Sequence, residues 1–577
     1  MKRVWIVMTS VLIIAAFVFA ACTPTATEAP VEEAPATEAA PAEETAAVEE
    51  TAAVEETVAA TEAATEAAAG PKVGGTYVLT SQEQPDTLDI QKSGFAITSG
   101  VMGWLGGALL AKDMEGNYIP YLAESWDVSE DGKTYTFHLR DDVKFHNGDP
   151  LTAQDWVYTF DRATADDFIS PVTADQLSAI AGWEATDDYT LVITLDEPYF
   201  PILNTFTYGD YLAPYSQRAV EEAGDDYGWT TVTSVGPYKL VEWVSDEKIV
   251  LTRNEDYTWG YAPYEGANTG PYYLENIEYR ILPDYTTQLA AFQAGEITAF
   301  GIQAKDMPEF ADNPDYQLLT DLNTGYYYIT FNQEQWPFDN KLVRQAFNLA
   351  VDKQTIVDVV GLGYGTPLDG SLSPAQIGYC ESVEGTGYPY DVEAAKAKLE
   401  EAGFVMNEST GIYEQDGRPL EFVFKSLTPE TYSKYSQILV EMWREMGANV
   451  TIEQYDWPTA SPQYTDGDFV MGTLHIAWPE ADMLNMMFHS DSIGGLNFQR
   501  IANPELDELL NLTRTLTDPA ERQQAVCDAE AWIIDDASII PLYAIQWFTA
   551  LQGNLAGTSY SPFTGLNLMD AYFTDLP

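Results

Sequence analysis

The strongest constraint on this chain is a change in composition at Gly70. From Thr23 to Gly70 the sequence holds twelve Glu, four Pro, no Lys or Arg and no aromatic residue. A near-repeat runs through it, from Glu43 to Val48, again from Glu49 to Val54, and again from Glu55 to Ala60. Nothing here offers an apolar face to bury, and the like charges repel, so residues 22–70 are expected to be a disordered acidic tether. As a flexible coil of 48 residues it would span roughly 35–40 Å. Every folded core must therefore come from the 507 residues that follow, enough for two or three lobes.

Ahead of the tether, Lys2 and Arg3 precede an apolar run from Val4 to Ala21. A short basic region followed by apolar and then small residues predicts a secretory signal peptide over residues 1–21. A spanning helix is the rival reading. Thr9 and Ser10 interrupt the run, however, and no basic cluster follows it. The ending Phe19-Ala20-Ala21-Cys22 resembles the bacterial lipobox, with Phe19 where that pattern usually has Leu. The resemblance implies acylation of Cys22 and a mature protein anchored by lipid, each buried CH₂ adding roughly 0.8 kcal/mol of membrane affinity.

Removing the leader's +2 and the tether's −12 from the formal net charge of −63 leaves −53 on residues 71–577. That excess of carboxylates excludes a basic surface for nucleic acid or anionic lipid. Beyond Cys22 only Cys380 and Cys527 remain. In an oxidising exterior they are candidates for a disulfide, and both the bonded and the free state are open to them. His138, His146, His475 and His489 lack metal-ligand spacing, so no metal or cofactor is expected. His146, in Phe145-His146-Asn147-Gly148, reads as part of a turn. No catalytic motif of fixed spacing occurs.

Within the body, Gly75–Thr80 and Thr134–Leu139 alternate as strands do, and Tyr238–Trp243 with Lys248–Arg253 predict a hairpin around Ser245-Asp246. Thr152 and Asp155 have the spacing of a capping box before a helix carrying Trp156, Val157 and Phe160. Asp339, Asp391 and Asp518 each stand where a helix cap is expected, with Gly403 stopping the second helix. Strands and helices mix throughout, which predicts α/β lobes. No clean linker separates them, so the chain is expected to cross between lobes more than once.

Several segments resemble, in order, the extracytoplasmic solute-binding proteins of family 5, the peptide/nickel/oligosaccharide group of ABC importers. They include Leu122-Ala123-Glu124-Ser125-Trp126, Asp131–Phe137, Leu139–Gly148, Leu151–Asp155, Gly236-Pro237-Tyr238, Ala294–Ile297, Val343–Ala346 and Ala350–Lys353. The resemblance implies a type II periplasmic-binding-protein clamshell, α/β in class, with an additional domain. Lobe I would be discontinuous, 71–112, 228–325 and 546–577. The additional domain would occupy 113–227, and lobe II 326–545. The implied function is non-enzymatic: a monomer captures a solute between the lobes and delivers it to a permease with partner ATPases. Oligopeptide is the first expectation and oligosaccharide the second, with a secreted glycoside hydrolase or a ligand sensor as rivals.

In peptide-binding members a Trp-x-x-Asp segment pairs with the ligand's amino terminus. Here the match is Trp478-Pro479-Glu480-Ala481-Asp482, with Ala481 at the aspartate position. Glu480 and Asp482 become candidates one residue out of register, and Met483 a candidate pocket lining. The cleft segments of the family also nominate Ser93, Gly94 and Phe95, together with Tyr326, Tyr328 and Asn332 near the crossing into lobe II. Trp457 and Trp478 are candidate flat faces for a sugar or an aromatic side chain.

Overall fold

The computed structural model describes residues 71–576 apart from 166, 167 and 171. The leader, Cys22 and the acidic tether lie outside the described residues. The first sheet has four strands in the order Thr76–Ser81, Asn276–Ile281, Lys248–Arg253 and Tyr238–Val244. The outer pair is the hairpin expected from sequence, turning at Asp246 with φ 57°. Thr76–Ser81 runs parallel to Asn276–Ile281, so the chain leaves this sheet and returns about two hundred residues later. Tyr77, Ile249, Leu251, Ile277 and Tyr279 bury one face against the helix Ala96–Leu105, the period-2 pattern that a half-buried strand requires.

A second four-stranded sheet is antiparallel throughout, in the order Ala123–Val128, Thr134–Leu139, Thr190–Leu195, Ile180–Asp187. Tyr135, Phe137, Leu191 and Ile193 pack beneath the helix Ala153–Ala163, which presents Trp156 and Phe160. That helix starts where expected. Asp155 accepts from the Thr152 backbone N–H at 2.9 Å, returning a carboxylate to the helix start.

The largest sheet has seven strands. Its main path runs Ala299–Gly301, Ile539–Gln552, Tyr316–Phe331, Met471–Ala477, Glu421–Leu427, Asn449–Tyr455. Glu421–Leu427 and Asn449–Tyr455 are parallel, joined by the helix Glu430–Met446, the crossover that a parallel pair needs. Asp391 and Asp518 cap their helices as expected, accepting from the N–H of Ala394 and of Ala520 and Glu521. The third cap differs by one residue. Asn340, rather than Asp339, accepts from the Leu342 N–H at 2.9 Å, because the helix begins at Lys341.

Two long strands, Tyr316–Phe331 and Ile539–Gln552, run antiparallel through the whole sheet. Their register shifts twice, narrowly between Tyr327 and Tyr328 and more widely just before them. Leu322 faces Gln546 and Tyr326 faces Ala544, leaving Asn323, Thr324 and Gly325 opposite Ile545 alone. On one side of this break the strands pack with Phe292, Phe300 and Phe310, and on the other with Phe338, Phe347 and Trp443. The Cys380 and Cys527 sulfurs form a disulfide that ties a long loop to the helix Pro519–Asp536.

His146 lies at the seam between the second sheet's domain and the segment 234–236. Its Nδ1 accepts from the Ser234 N–H at 3.4 Å, and Nε2–H donates to the Gly236 carbonyl at 3.1 Å. Burial favours the neutral imidazole and lowers its pKa from 6.5 to about 4. A folded pKa below the unfolded one means stability present above pH 6.5 is lost as pH falls through about 4. Some solvent contact at the ring trims the full linkage value to about 2 kcal/mol. His146→Gln keeps a side-chain amide donor without titrating. Urea unfolding of both proteins at pH 7 and pH 4 should show a loss smaller in the variant by that amount. Equal losses would place the acid sensitivity elsewhere.

Candidate ligand-binding cleft

The cleft begins with glycines. The helix Ala96–Leu105 ends at Gly106, and the Leu105 carbonyl accepts from the Gly236 N–H at 2.8 Å. A Cβ on Gly236 would stand 2.6 Å from the carbonyl oxygens of Trp104 and Gly106. One on Gly106 would overlap the Gly209 carbonyl oxygen. Three backbone segments from distant parts of the chain therefore meet where only a bare Cα admits them.

A cavity of about 600 Å³ opens beside this contact. The first sheet and its helix contribute Trp104 and Tyr279, and the strand Leu110–Lys112 contributes Lys112. The loop after Phe206 brings Tyr208 and Asp210, and Pro479 arrives from the half of the molecule built on the large sheet. The aromatic wall is held in place by its own hydrogen bonds. Trp104 Nε1 donates to the Tyr279 hydroxyl at 2.9 Å, which donates to the Gly100 carbonyl at 2.9 Å. The Tyr121 and Tyr257 hydroxyls lie 3.0 Å apart, and Tyr121 meets Tyr261 edge-on at 5.0 Å. Burial pushes the Tyr121 and Tyr279 hydroxyls well above their usual pKa, so both stay protonated donors. A preformed concavity that combines aromatic faces with a few directed polar groups is the usual form of a small-molecule site.

Two charges face this cavity. Burial lowers the Lys112 ammonium to about 8, with Glu480 acting in the opposite direction. Asp210 accepts from the Ser99 hydroxyl, and burial raises its carboxyl above the ordinary range.

A second cavity of about 690 Å³ lies on the far side of the Trp478–Glu480 segment, between Tyr199, Asn204, Trp478, Met486 and Arg514, with Tyr208 lining both spaces. Glu480 and Asp482 border it, but their charges are already matched within the chain. Glu480 accepts from Arg522 Nη2 at 2.8 Å and from the Asp482 N–H at 3.0 Å. Asp482 accepts from Arg514 Nη2 at 2.9 Å and from the Tyr199 hydroxyl at 3.0 Å. Arg522 stacks 4.8 Å over Phe200, and Arg514 lies 5.5 Å from the centre of Tyr199. Asp482 thus reaches through Tyr199 to the domain of the second sheet, while Glu480 is committed within the large-sheet half. This corrects the expectation that a cationic ligand is their partner, because a buried carboxylate needs a counter-charge in the free protein too.

Other nominated residues are also placed differently. Ser93 is buried and bonded to Asp86 and Thr98. Gly94 and Phe95 are exposed and outside both cavities. Tyr326 and Tyr328 share one side of their strand, with ring centres 5.7 Å apart, but that side is core, shared with Met483 and Met487. Asn332 spends its amide on the carbonyls of Gly467 and Phe469 at 2.9 and 3.0 Å. Trp457 lies 45% exposed over Tyr464, outside both cavities. Of the set, Trp478 does border a cavity. Sequence reasoning passed over Trp104, Lys112, Tyr208 and Asp210. The one signal was the run of glycines at 100, 103, 106 and 107, too many for a helix end unless another backbone approaches it.

Glu480→Gln would leave Arg522 buried without its counter-charge. We expect it to cost about 3–5 kcal/mol, read as a lower denaturant midpoint, with solute affinity of the folded protein little changed. A variant as stable as the parent would return Glu480 to a ligand-facing role.

Comparison with known proteins agrees with this architecture. The profile of "Bacterial extracellular solute-binding proteins, family 5 Middle" matches residues 117–495. The chain is 30% identical over 468 residues to heme-binding protein A of Haemophilus influenzae, covering 77% of this chain and 82% of that protein. It is 28% identical over 525 residues to the oligopeptide-binding protein OppA of Bacillus subtilis, covering 86% and 92%. Among solved structures, HbpA2 from Haemophilus parasuis superposes with a TM-score of 0.75 at 25% identity, covering 86% of this chain and 100% of that one. The chain belongs to family 5 of the bacterial extracellular solute-binding proteins.

Proposed function

We propose that this protein is the extracytoplasmic binding component of an ABC importer, taking a small solute, first of all a short oligopeptide, into the cavity between Trp104, Lys112, Asp210 and Pro479. The observation that carries the reading is that this preformed cavity draws its walls from both ends of the chain and from Pro479 of the large-sheet half. A ligand touching both sides favours the closed arrangement by its differential contacts. The register break at Leu322/Tyr326 and Ala544/Gln546 is the proposed hinge, since Asn323 and Thr324, which are in register with neither neighbouring strand, can absorb the dihedral changes of closure. The proposed lobes are lobe I at 71–112, 228–325 and 546–577, the additional domain at 113–227 and lobe II at 326–545, and the break supports the boundaries at 325/326 and 545/546. Peptide is placed first because OppA of Bacillus subtilis, named for oligopeptides, matches most of this chain.

The protein is proposed to work as a lipid-anchored monomer held through Cys22, with residues 22–70 giving the body reach to a permease. Native mass spectrometry of the purified protein, followed by a thermal-shift screen of short peptides against oligosaccharides, tests the ligand class. Peptides should raise the melting temperature in proportion to concentration over Kd. Stabilisation by saccharides alone would reject the peptide assignment. Labelling of cells with a radioactive fatty acid should mark the protein and should fail in Cys22→Ala; label retained in the variant would remove the anchor from Cys22.

A further inference from the structure

The cavity holds one cation and one anion that the protein leaves unmatched. Lys112 lines it and has no hydrogen-bond or ion-pair partner among the described residues. That is notable in a chain with 90 Asp and Glu against 27 Lys and Arg. The arginines beside the Trp478 segment are served, the half-buried Arg514 by Asp482 and the buried Arg522 by Glu480. Glu480, the acid that acts on Lys112, is itself committed to Arg522. Asp210 lines the same cavity, and its described side-chain partner is the neutral hydroxyl of Ser99. No ion pair joins Lys112 to Asp210 among the described residues. The carboxylate and the ammonium therefore face one space without neutralising each other.

Holding a half-desolvated charge without a counter-charge is unfavourable, and a ligand that supplies both counter-charges removes two such costs at once. The same cavity is lined by Tyr257, Tyr261, Tyr272 and Tyr279, which offer ring faces rather than further charge. We infer that the cavity selects zwitterions, short peptides with both termini free, whose ammonium pairs with Asp210 and whose carboxylate pairs with Lys112. This rests on the peptide reading above and adds to it a polarity and a requirement for unblocked ends. The amine partner is thereby moved from the Trp478 segment, where Ala481 and the committed Glu480 and Asp482 leave no carboxylate free, to Asp210.

The test uses the full-length protein, freed of copurified ligand by partial unfolding and dialysis, and a pool of unblocked tripeptides. The tightest member is titrated by calorimetry beside its N-acetylated and C-amidated forms. In the parent protein each block should weaken binding by roughly 10- to 100-fold, the scale of a hydrogen bond to a charged group. Lys112→Met should weaken the unblocked peptide to the same degree and abolish the difference between acid and amide. Asp210→Asn should abolish the difference between free and acetylated amine, and each variant should keep the discrimination belonging to the other. Equal binding of blocked and unblocked peptides by the parent overturns this inference while leaving the peptide reading intact. So does discrimination that survives in the matching variant. Absence of peptide binding altogether, with or without binding of neutral saccharides, overturns both.

Discussion

Everything in this molecule hangs on the antiparallel pairing of two strands, Tyr316–Phe331 and Ile539–Gln552. Each runs through both halves, so a single ladder carries the first sheet's neighbourhood at one end and the large helical half at the other. The ladder is interrupted most widely at Asn323–Gly325 opposite Ile545, with a second shift between Tyr327 and Tyr328. On either side the strands sit in separate apolar clusters, Phe292 and Phe310 on one and Phe347 and Trp443 on the other. Continuous pairing resists shear, while the unpaired residues leave local freedom to bend. The pairing thus joins the halves and leaves a place where they need not be rigid.

The second theme is the use of charge. With so large an excess of acids, carboxylates are plentiful and arginines scarce, yet several arginines are spent on ion pairs largely shielded from solvent. Arg162 is paired with Asp89, Arg344 with Asp536, Arg514 with Asp482 and Arg522 with Glu480. Buried pairs of this kind contribute little net stability over well-packed apolar residues, but they cannot be broken singly without large cost. They therefore specify which surfaces meet, and two of them clamp Tyr199 and Phe200 against the large-sheet half. Against that background of matched charge, the unmatched Lys112 and Asp210 mark a different purpose for the space they share.

Local chemistry was readable without any fold. The hairpin at Tyr238–Arg253, the strand Thr134–Leu139 and the caps at Thr152, Asp391 and Asp518 all follow from contacts within a few residues. Family membership was readable for the same reason, since its segments are short and ordered along the chain. The site was much less so. Tyr326 and Tyr328 were correctly placed on one side of a strand, but alternation does not say whether that side faces a cavity or Met483 and Met487. Glu480 and Asp482 were sensible as carboxylates in search of a cation. Arg514 and Arg522, more than thirty residues away, are invisible to any local pattern.

By itself, the sequence determined that a stretch rich in Glu and without aromatic residues precedes an α/β body, that this body carries the family's segments in order, and that most of its strands and helices begin where alternation and capping say. Tertiary structure alone decided the cleft. Trp104, Lys112, Asp210, Tyr279 and Pro479 come from five separate stretches of chain, brought together by glycine contacts at Gly106, Gly209 and Gly236 that close only when three backbones meet. It also decided which charges are matched and which are left facing the cavity. Elements depend on near neighbours, whereas a cavity and its unpaired charges are properties of surfaces that do not exist until the chain has folded.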